Sequence, residues 1–478
     1  MMEHKYRSST EQASLTDEPA GGVLHVEPGG ALNGEVGGDG ASPLPGDKSL
    51  SHRAALFAAM AEGESCIQNF LVSGVTRAML DALTILNVPW MLNGRSLQVH
   101  GIGLKRHSYA RGNGEPLVFD CGNSATTFRL LAGALAAWNI SAILDGSPGL
   151  RRRPMQRLAA PLQQMGVDIQ TTDGHAPLFI RPSSHPLKAL DYELPVASAQ
   201  VKSCLLLAGL AAEGVTVLVE PGPSRDHTER MLGAMGVEIN SFTHPGADGR
   251  PLRWVTSLTP PASARLAPLQ MTLPNDMSAA AFLIVAALIT PGSQIHLRGV
   301  GLNPTRTGLL DTLLEMGADI QIHQVADRGG EPTGDLIIRH SALHGVEVSG
   351  ERVVRMIDEF PVFAVAAAYA HGETRVRDAE ELRHKESDRI SALGGELRSL
   401  GVDFSETPDG FIVQGGQPLR GRRVQSHGDH RLAMSLAVAG LAAQAPVQVA
   451  GAEMIHESFP DFVSVMRSLG ASIHFSAT

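Results

Sequence analysis

The sequence predicts an α/β protein assembled from six copies of one repeating unit, and three observations carry that prediction. A small polar cluster followed by an Ala/Leu-rich run recurs six times along the chain. A second helical segment, ending in Leu or Met, then Gly, then Val or Ala, then an acidic residue, alternates with it. Between the two lies a short stretch of alternating apolar residues, which is the period of a strand.

The first signal reads GDKSLSHRAALFAAMAEG from Gly46, GNSATTFRLLAGALAA from Gly122 and SAQVKSCLLLAGLAAEG from Ser198. It returns as NDMSAAAFLIVAALI from Asn275, DEFPVFAVAAAYAHG from Asp358 and DHRLAMSLAVAGLAA from Asp429. With Lys48, Asn123, Ser198, Asn275, Asp358 and Asp429 as markers, the intervals are 75, 75, 77, 83 and 71 residues. The second signal appears as QQMGVDI at Gly166, GAMGVEI at Gly236, LEMGADI at Gly317 and RSLGVDF at Gly401, with weaker copies at Asn87 and Gly470. Gly or Asn at that point is what a left-handed helix C-cap requires. The strands between them are SCIQNF, SAILDG, VTVLVE, SQIHLR, TRVRDA and VQVAGA. Each unit therefore reads helix, strand, loop, helix, strand, from about Pro43 to the end. The Gly-rich segment 29–40 and the Pro/Ala-rich stretch 260–274 are the best linkers, and they split the chain into three units and three. Coincidental amphipathicity in a generic α/β protein is the competing explanation, and six copies in phase weigh against it.

Composition narrows the function. At 478 residues the chain exceeds one ordinary core, and 43% apolar with 18% charged residues fits a folded protein rather than a disordered one. Aromatics are only 4%, so cores must be built from Ala, Leu, Val and Ile in closely approaching elements. Lys plus Arg number 39 against 49 Asp plus Glu, and the net charge of −10 argues against a nucleic-acid or anionic-membrane partner. Cys66, Cys121 and Cys204 cannot make a disulfide framework, which points to a reducing, cytoplasmic setting. No apolar run approaches the roughly 18 residues of a membrane span. Residues 1–21 carry several acids and no apolar core segment, so they read as a disordered polar tail rather than a targeting signal.

The helix starts carry the chemistry. A helix N-terminus exposes backbone N–H groups and the positive end of its dipole, so it favours anions. Simple N-capping by Ser, Asn or Asp explains any single terminus equally well. Capping does not need cations, however, and cations gather here. Lys48 opens the first helix, Ser49 and Arg53 share a face, Arg151–Arg152–Arg153 precede Pro154, and Arg225 opens RDHTE. Lys385 and Arg389 stand four apart in KESDR, and Arg431 opens the sixth helix. In an acidic chain this concentration points to small substrates with more than one anionic group, with solvated surface charge as the alternative. No cofactor is expected. PGDKS lacks the spacing of a phosphate loop, because Asp47 precedes Lys48, and no G-x-G-x-x-G follows a strand. HGDHR and DHTE imitate metal clusters, but neighbouring Asp and His point to different faces of a helix, so no metal site is expected.

Taken together, LPGDKSLSHRAALFAAMAEG, GNSATTFRLLAGAL, RRPMQRL, SAQVKSCLLLAGL, SRDHTERML, MIDEFPVFAVAAAYA, EELRHKESDRI and GDHRLAMSLAVAG resemble the 5-enolpyruvylshikimate-3-phosphate synthase family. The match is collinear from about Leu24 to Phe475, and SAQVKS with SRDHTE resembles the glyphosate-tolerant bacterial branch. The resemblance implies a two-domain inside-out α/β barrel of six βαβαββ repeats, three per domain, with helices inside and sheets outside. The first domain would comprise 22–43 with 274–478 and the second 44–273, closing around substrates bound in the interdomain cleft. The implied reaction moves the carboxyvinyl group of phosphoenolpyruvate onto the 5-hydroxyl of shikimate 3-phosphate, as a step of chorismate and aromatic amino acid biosynthesis. It is an addition followed by elimination of phosphate through a tetrahedral intermediate, without metal or organic cofactor, in a monomer.

Carried over by motif position, Lys48 would contact both substrates and relay a proton, and Ser49 and Arg53 would hold the shikimate carboxylate. Ser198, Ala199 and Gln200 would line the shikimate phosphate, with charge from Arg225 and Lys385. Asn123, Ala125, Arg153 and Gln200 would face phosphoenolpyruvate, whose carboxylate Arg389 and Arg431 would grip. Asp358, which would also bind shikimate 3-phosphate, would take the hydroxyl proton, and Glu386 would exchange a proton with the methylene carbon. Three features depart from the family pattern. Glu457 stands where many members carry a phosphate-binding Lys, Ala199 where many carry Ser, and segment 34–44 is longer than usual. Two rival readings stand beside this one. A UDP-N-acetylglucosamine enolpyruvyl transferase commonly uses a mobile-loop Cys, and none of the three cysteines suits. A non-catalytic anion-binding repeat protein would need neither Asp358 nor Glu386 beside cations.

Overall fold

A computed structural model of the chain describes residues 22–38, 42–104, 115–245 and 252–476. The expected disordered tail, residues 1–21, lies outside the described residues. The chain divides into two compact units. One is Lys48–Leu273 with Arg328–Gly330; the other takes 22–47, Pro274–Asp327 and 331–476.

The first unit is built on three helices, Lys48–Met60, Ala125–Trp138 and Ala199–Gly209. Their sequences are apolar on nearly every face, so each must be surrounded, and from the second turn onward every residue of all three is buried. Small residues permit the close approach anticipated from the scarcity of aromatics. A methyl group on Gly133 would run into the Cys204 carbonyl of the neighbouring helix. Three four-stranded sheets wall these helices, each with one parallel and two antiparallel pairings. In the first, Gln270–Thr272 runs parallel to Glu62–Gln68, which pairs antiparallel with Ser96–Ile102 and through it with Trp90–Asn93. Leu117–Asp120, Ala142–Asp145, His175–Arg181 and Asp168–Thr172 repeat the plan, as do Asp191–Glu193, Thr216–Glu220, Arg253–Thr259 and Glu238–His244.

The second unit repeats this arrangement around helices Met277–Ile289, Phe360–Tyr369 and His430–Gly440. Two of its sheets are completed by the start of the chain. Val23–Glu27 pairs antiparallel with both Val447–Ala450 and Ser472–Ser476, and Asn33–Val36 runs parallel to Gln294–Gly301. The chain passes between units after Asp47 rather than after residue 43. The reason is local: the Asp47 amide donates to Pro274 O at 2.9 Å, and the Asp47 carboxylate meets buried Arg306 at 2.9 Å, which holds this segment in the second unit.

The helix stops behave as the capping argument requires. Asn87, Gly166, Gly236, Gly317, Gly401 and Gly470 all have positive φ, between 54° and 102°. The repeat itself is richer than helix, strand, loop, helix, strand. A closing hairpin and an opening strand complete each unit, as in Trp90–Asn93 with Ser96–Ile102, giving the βαβαββ order.

Candidate active site

In the first unit, Lys48 is the first residue of its helix and Ser49 the second. Arg53 follows one turn later and is buried, so its guanidinium is fixed by hydrogen bonds rather than by water. It donates through Nε to Thr228 Oγ1 at 2.8 Å, through Nη2 to Ser203 Oγ at 2.8 Å and through Nη1 to Ser49 O at 3.0 Å. Arg225 reaches the same place and donates through Nη1 to Ser49 Oγ at 3.2 Å. Ser49, Arg53 and Arg225 therefore meet at one place, next in the chain to Lys48.

Gln200 sits in the first turn of the Ala199–Gly209 helix with its amide held at both ends. Buried Arg129 donates to its Oε1, and its Nε2 donates to Thr126 Oγ1 at 2.8 Å. This fixes Gln200 beside the helix start that carries Ala125. Ser124 caps that helix, accepting from Thr127 N at 3.2 Å, and Ala125 is its buried first residue. Asn123 Oδ1 accepts from Ser147 Oγ. Buried His52 braces these starts, with Nδ1 2.7 Å from Lys48 O and Nε2 3.1 Å from Ser124 Oγ. Burial, together with the nearby charges of Lys48 and Arg53, pushes its pKa down to about 4.

The arginine triplet separates. Arg151 closes a short helix, Pro148–Arg151, and its exposed guanidinium pairs with Asp145, Nε to Oδ1 at 2.8 Å. Arg153 is half-buried, and its amide donates to Leu150 O at 3.0 Å. The following helix begins at Gln156, not at Pro154, because Met155 is its cap.

In the second unit the charges cluster more tightly. Asp358 Oδ1 lies 3.7 Å from Lys385 Nζ and 3.5 Å from Arg389 Nη1, and its Oδ2 lies 4.0 Å from Arg431 Nη2. Glu386 Oε2 accepts from Arg389 Nη2 at 2.7 Å. Arg389 is buried and anchored on its far edge by Asp429, Nε to Oδ2 at 2.8 Å. Burial alone would raise the Asp429 carboxyl, and Arg389 outweighs it, leaving Asp429 below the usual carboxylate range. Burial depresses Lys385 below the ordinary lysine value despite the attraction of Asp358. Neither Asp358 nor Glu386 occupies an N-cap position. Glu359 holds the N-cap position of the Phe360–Tyr369 helix without a side-chain capping bond, and Asp388 caps Arg389–Ser399, accepting from Ile390 N and Ser391 N. Five of the sequence-predicted residues, Asp358, Lys385, Glu386, Arg389 and Arg431, thus meet in one constellation. Two carboxylates lie among three cations, an arrangement that acid/base chemistry at a charged centre can use.

Several partners were not singled out from sequence: Ser203, Thr228, Arg129, Glu359 and the pairing of Asp429. Arg129 left a signal, as a lone cation in the apolar run TTFRLLAG. Glu457 ends a short 3-10 helix, Ala452–Glu457. Cys66 lies in a strand, while burial pushes the Cys204 thiol up to about 12 and raises Cys121 as well. Such thiols are not poised as acids or nucleophiles.

The family model described as EPSP synthase (3-phosphoshikimate 1-carboxyvinyltransferase) matches residues 26–466. A 3-phosphoshikimate 1-carboxyvinyltransferase of Citrifermentans bemidjiense is 45% identical over 447 residues, covering 93% of this chain and 98% of the relative. One from Salinibacter ruber is 46% identical over 443 residues, covering 92% and 97%. A solved EPSP synthase from Acinetobacter baumannii superposes with a TM-score of 0.80 at 38% identity, covering 95% of this chain and all of that one. The chain belongs to the EPSP synthase family.

Proposed function

We infer that the protein transfers the carboxyvinyl group of phosphoenolpyruvate to the 5-hydroxyl of shikimate 3-phosphate, releasing phosphate, within aromatic amino acid biosynthesis. The observation that carries this reading is the placement of Asp358 and Glu386 among Lys385, Arg389 and Arg431. In the second unit, Asp358 accepts the proton of the attacking hydroxyl as its oxygen bonds to C2 of phosphoenolpyruvate. Glu386 delivers a proton to C3, turning the methylene into a methyl group. Loss of phosphate from C2, which carries away the proton taken up by Asp358, and return of one C3 proton to Glu386 restore the double bond and both carboxyl groups. Arg389 and Arg431 hold the phosphoenolpyruvate carboxylate and stabilise charge as it develops. Lys385 contributes charge beside shikimate 3-phosphate.

In the first unit, Lys48 contacts both substrates and relays a proton, and Ser49 and Arg53 hold the shikimate carboxylate. Ser198, Ala199, Gln200 and Arg225 surround its phosphate, while Asn123, Ala125 and Arg153 face phosphoenolpyruvate, with Gln200 reaching it too. What supports this assignment is the shared cluster around Ser49 and the fixed amide of Gln200. The unpaired cysteines among the described residues support a reducing, cytoplasmic setting, and the protein is read as a monomer acting on small molecules. Release of inorganic phosphate from phosphoenolpyruvate on addition of shikimate 3-phosphate tests the reading.

A further inference from the structure

We propose that Glu220, a residue with no place in the chemistry above, is a positioning residue that sets affinity for the phosphate of shikimate 3-phosphate by tying together the two loops that carry Ser198 and Arg225. The inference rests on the phosphate assignment made above for those two residues.

Glu220 ends the strand Thr216–Glu220 and is almost wholly buried, at 1% exposure. A buried carboxylate must have every lone pair answered, and its partners show what it holds. Oε1 accepts the Ser198 backbone N–H at 2.9 Å, at the cap of the Ala199–Gly209 helix. Oε2 accepts from Ser224 Oγ at 2.8 Å, in the residue directly before Arg225. The same Oε2 meets Lys202 Nζ at 2.8 Å, and Lys202, also buried, meets Glu229 Oε1 at 2.7 Å. One carboxylate thus joins a helix start, a loop and a buried ammonium. Lys202 has no exposed end with which to meet a ligand, so its charge serves Glu220 and Glu229. Burial disfavours that charge, and the two carboxylates outweigh burial and keep it on.

The consequence falls on substrate. Ser198 and Arg225 lie on separate loops, and an anion held by both requires their spacing to be set before binding. Charge-assisted hydrogen bonds to backbone and hydroxyl are the stronger kind, and here they act at both loops through one group. Glu220 itself takes no proton from the reaction and meets no reacting atom in this assignment, so it acts on binding rather than on turnover.

The test uses the full-length enzyme and steady-state kinetics with each substrate varied in turn. Wild-type turnover of phosphoenolpyruvate with shikimate 3-phosphate is measured first, since its absence defeats the functional reading and not this inference alone. Glu220→Gln keeps the shape and removes the charge. Its KM for shikimate 3-phosphate should rise about 10-fold, with kcat held within about 3-fold and KM for phosphoenolpyruvate within about 2-fold. A fall in kcat with both KM values unchanged, the mark of lost folded enzyme, overturns the proposal, as does an equal rise in both KM values. Should Glu220→Gln fail to fold, Glu220→Asp keeps the charge for Lys202 while withdrawing the carboxylate from Ser198 and Ser224. The same selective rise is expected there, and a wild-type KM overturns the proposal. Failure of both variants to fold assigns Glu220 a structural role only and also overturns it.

Discussion

Arg389 and Asp429 form an ion pair sealed from solvent, with Nε 2.8 Å from Oδ2 and the two side chains 2% and 0% exposed. The pair does two jobs. Asp429 also caps the last core helix by accepting the Arg431 N–H at 2.8 Å, so it aligns both arginines assigned to the phosphoenolpyruvate carboxylate. Losing the Asp429 charge leaves Arg389 with Glu386 and Asp358 as partners but removes its fully buried anchor, which costs about 1–3 kcal/mol. Asp429→Asn should therefore lower the melting temperature and raise KM for phosphoenolpyruvate. Thermal denaturation and initial-rate kinetics check this, and an unchanged KM for phosphoenolpyruvate would free Asp429 of the aligning role.

Asp358 and Glu386 should be separable from folding. Since the N-cap positions of the adjoining helices belong to Glu359 and Asp388, replacing either Asp358 or Glu386 removes no cap. Asp358→Ala or Glu386→Gln should reduce kcat by about 10²- to 10⁴-fold, the usual worth of an acid/base group, with a melting temperature near wild type. Turnover close to wild type in either folded variant contradicts the roles given to these residues.

His52 gives the protein a pH signature. Its folded pKa is pushed down to about 4, whereas in the unfolded chain it titrates near the ordinary value of about 6.5. Between those values the unfolded state binds the extra proton, so stability rises with pH. The contribution is complete above about pH 6.5 and is lost as pH falls to 4, amounting to about 3 kcal/mol. Melting curves at several pH values should show His52→Gln losing less stability than wild type across that window. Parallel curves for the two proteins would remove His52 as the cause.

Ala125 bears on glyphosate, which resembles phosphoenolpyruvate but is longer. Ala125 is buried at 3% exposure as the first residue of a helix start assigned to phosphoenolpyruvate. One extra methyl in a packed site costs about 1–3 kcal/mol against a longer ligand, or about 5- to 150-fold in affinity. Glyphosate should inhibit weakly near the KM for phosphoenolpyruvate, and Ala125→Gly should tighten inhibition while leaving phosphoenolpyruvate affinity similar or better. An unchanged inhibition constant sinks the steric explanation.

What could be read from the sequence was what local physics dictates. The left-handed C-caps at Asn87 and Gly166 required Asn or Gly, so the repeat boundaries were visible in the chain. The cations at Lys48, Arg225, Lys385 and Arg431 stood out because capping does not call for them. Partners joined only by folding were not visible. Arg53 finds Thr228 and Ser203 at separations of 175 and 150 residues, and Arg389 finds Asp429 across 40. Val23–Glu27 completes a sheet at the opposite end of the chain, a pairing that no local period can encode. The pairing of Arg151 with Asp145, across the short helix Pro148–Arg151, was likewise not visible in the run of arginines.

The most direct measurement is phosphate release from phosphoenolpyruvate by the purified protein, run in parallel with shikimate 3-phosphate and with UDP-N-acetylglucosamine as acceptor. Release at a catalytic rate, with formation of 5-enolpyruvylshikimate 3-phosphate, is expected with the first acceptor and not with the second. Release with UDP-N-acetylglucosamine in place of shikimate 3-phosphate, or with neither, would contradict the account.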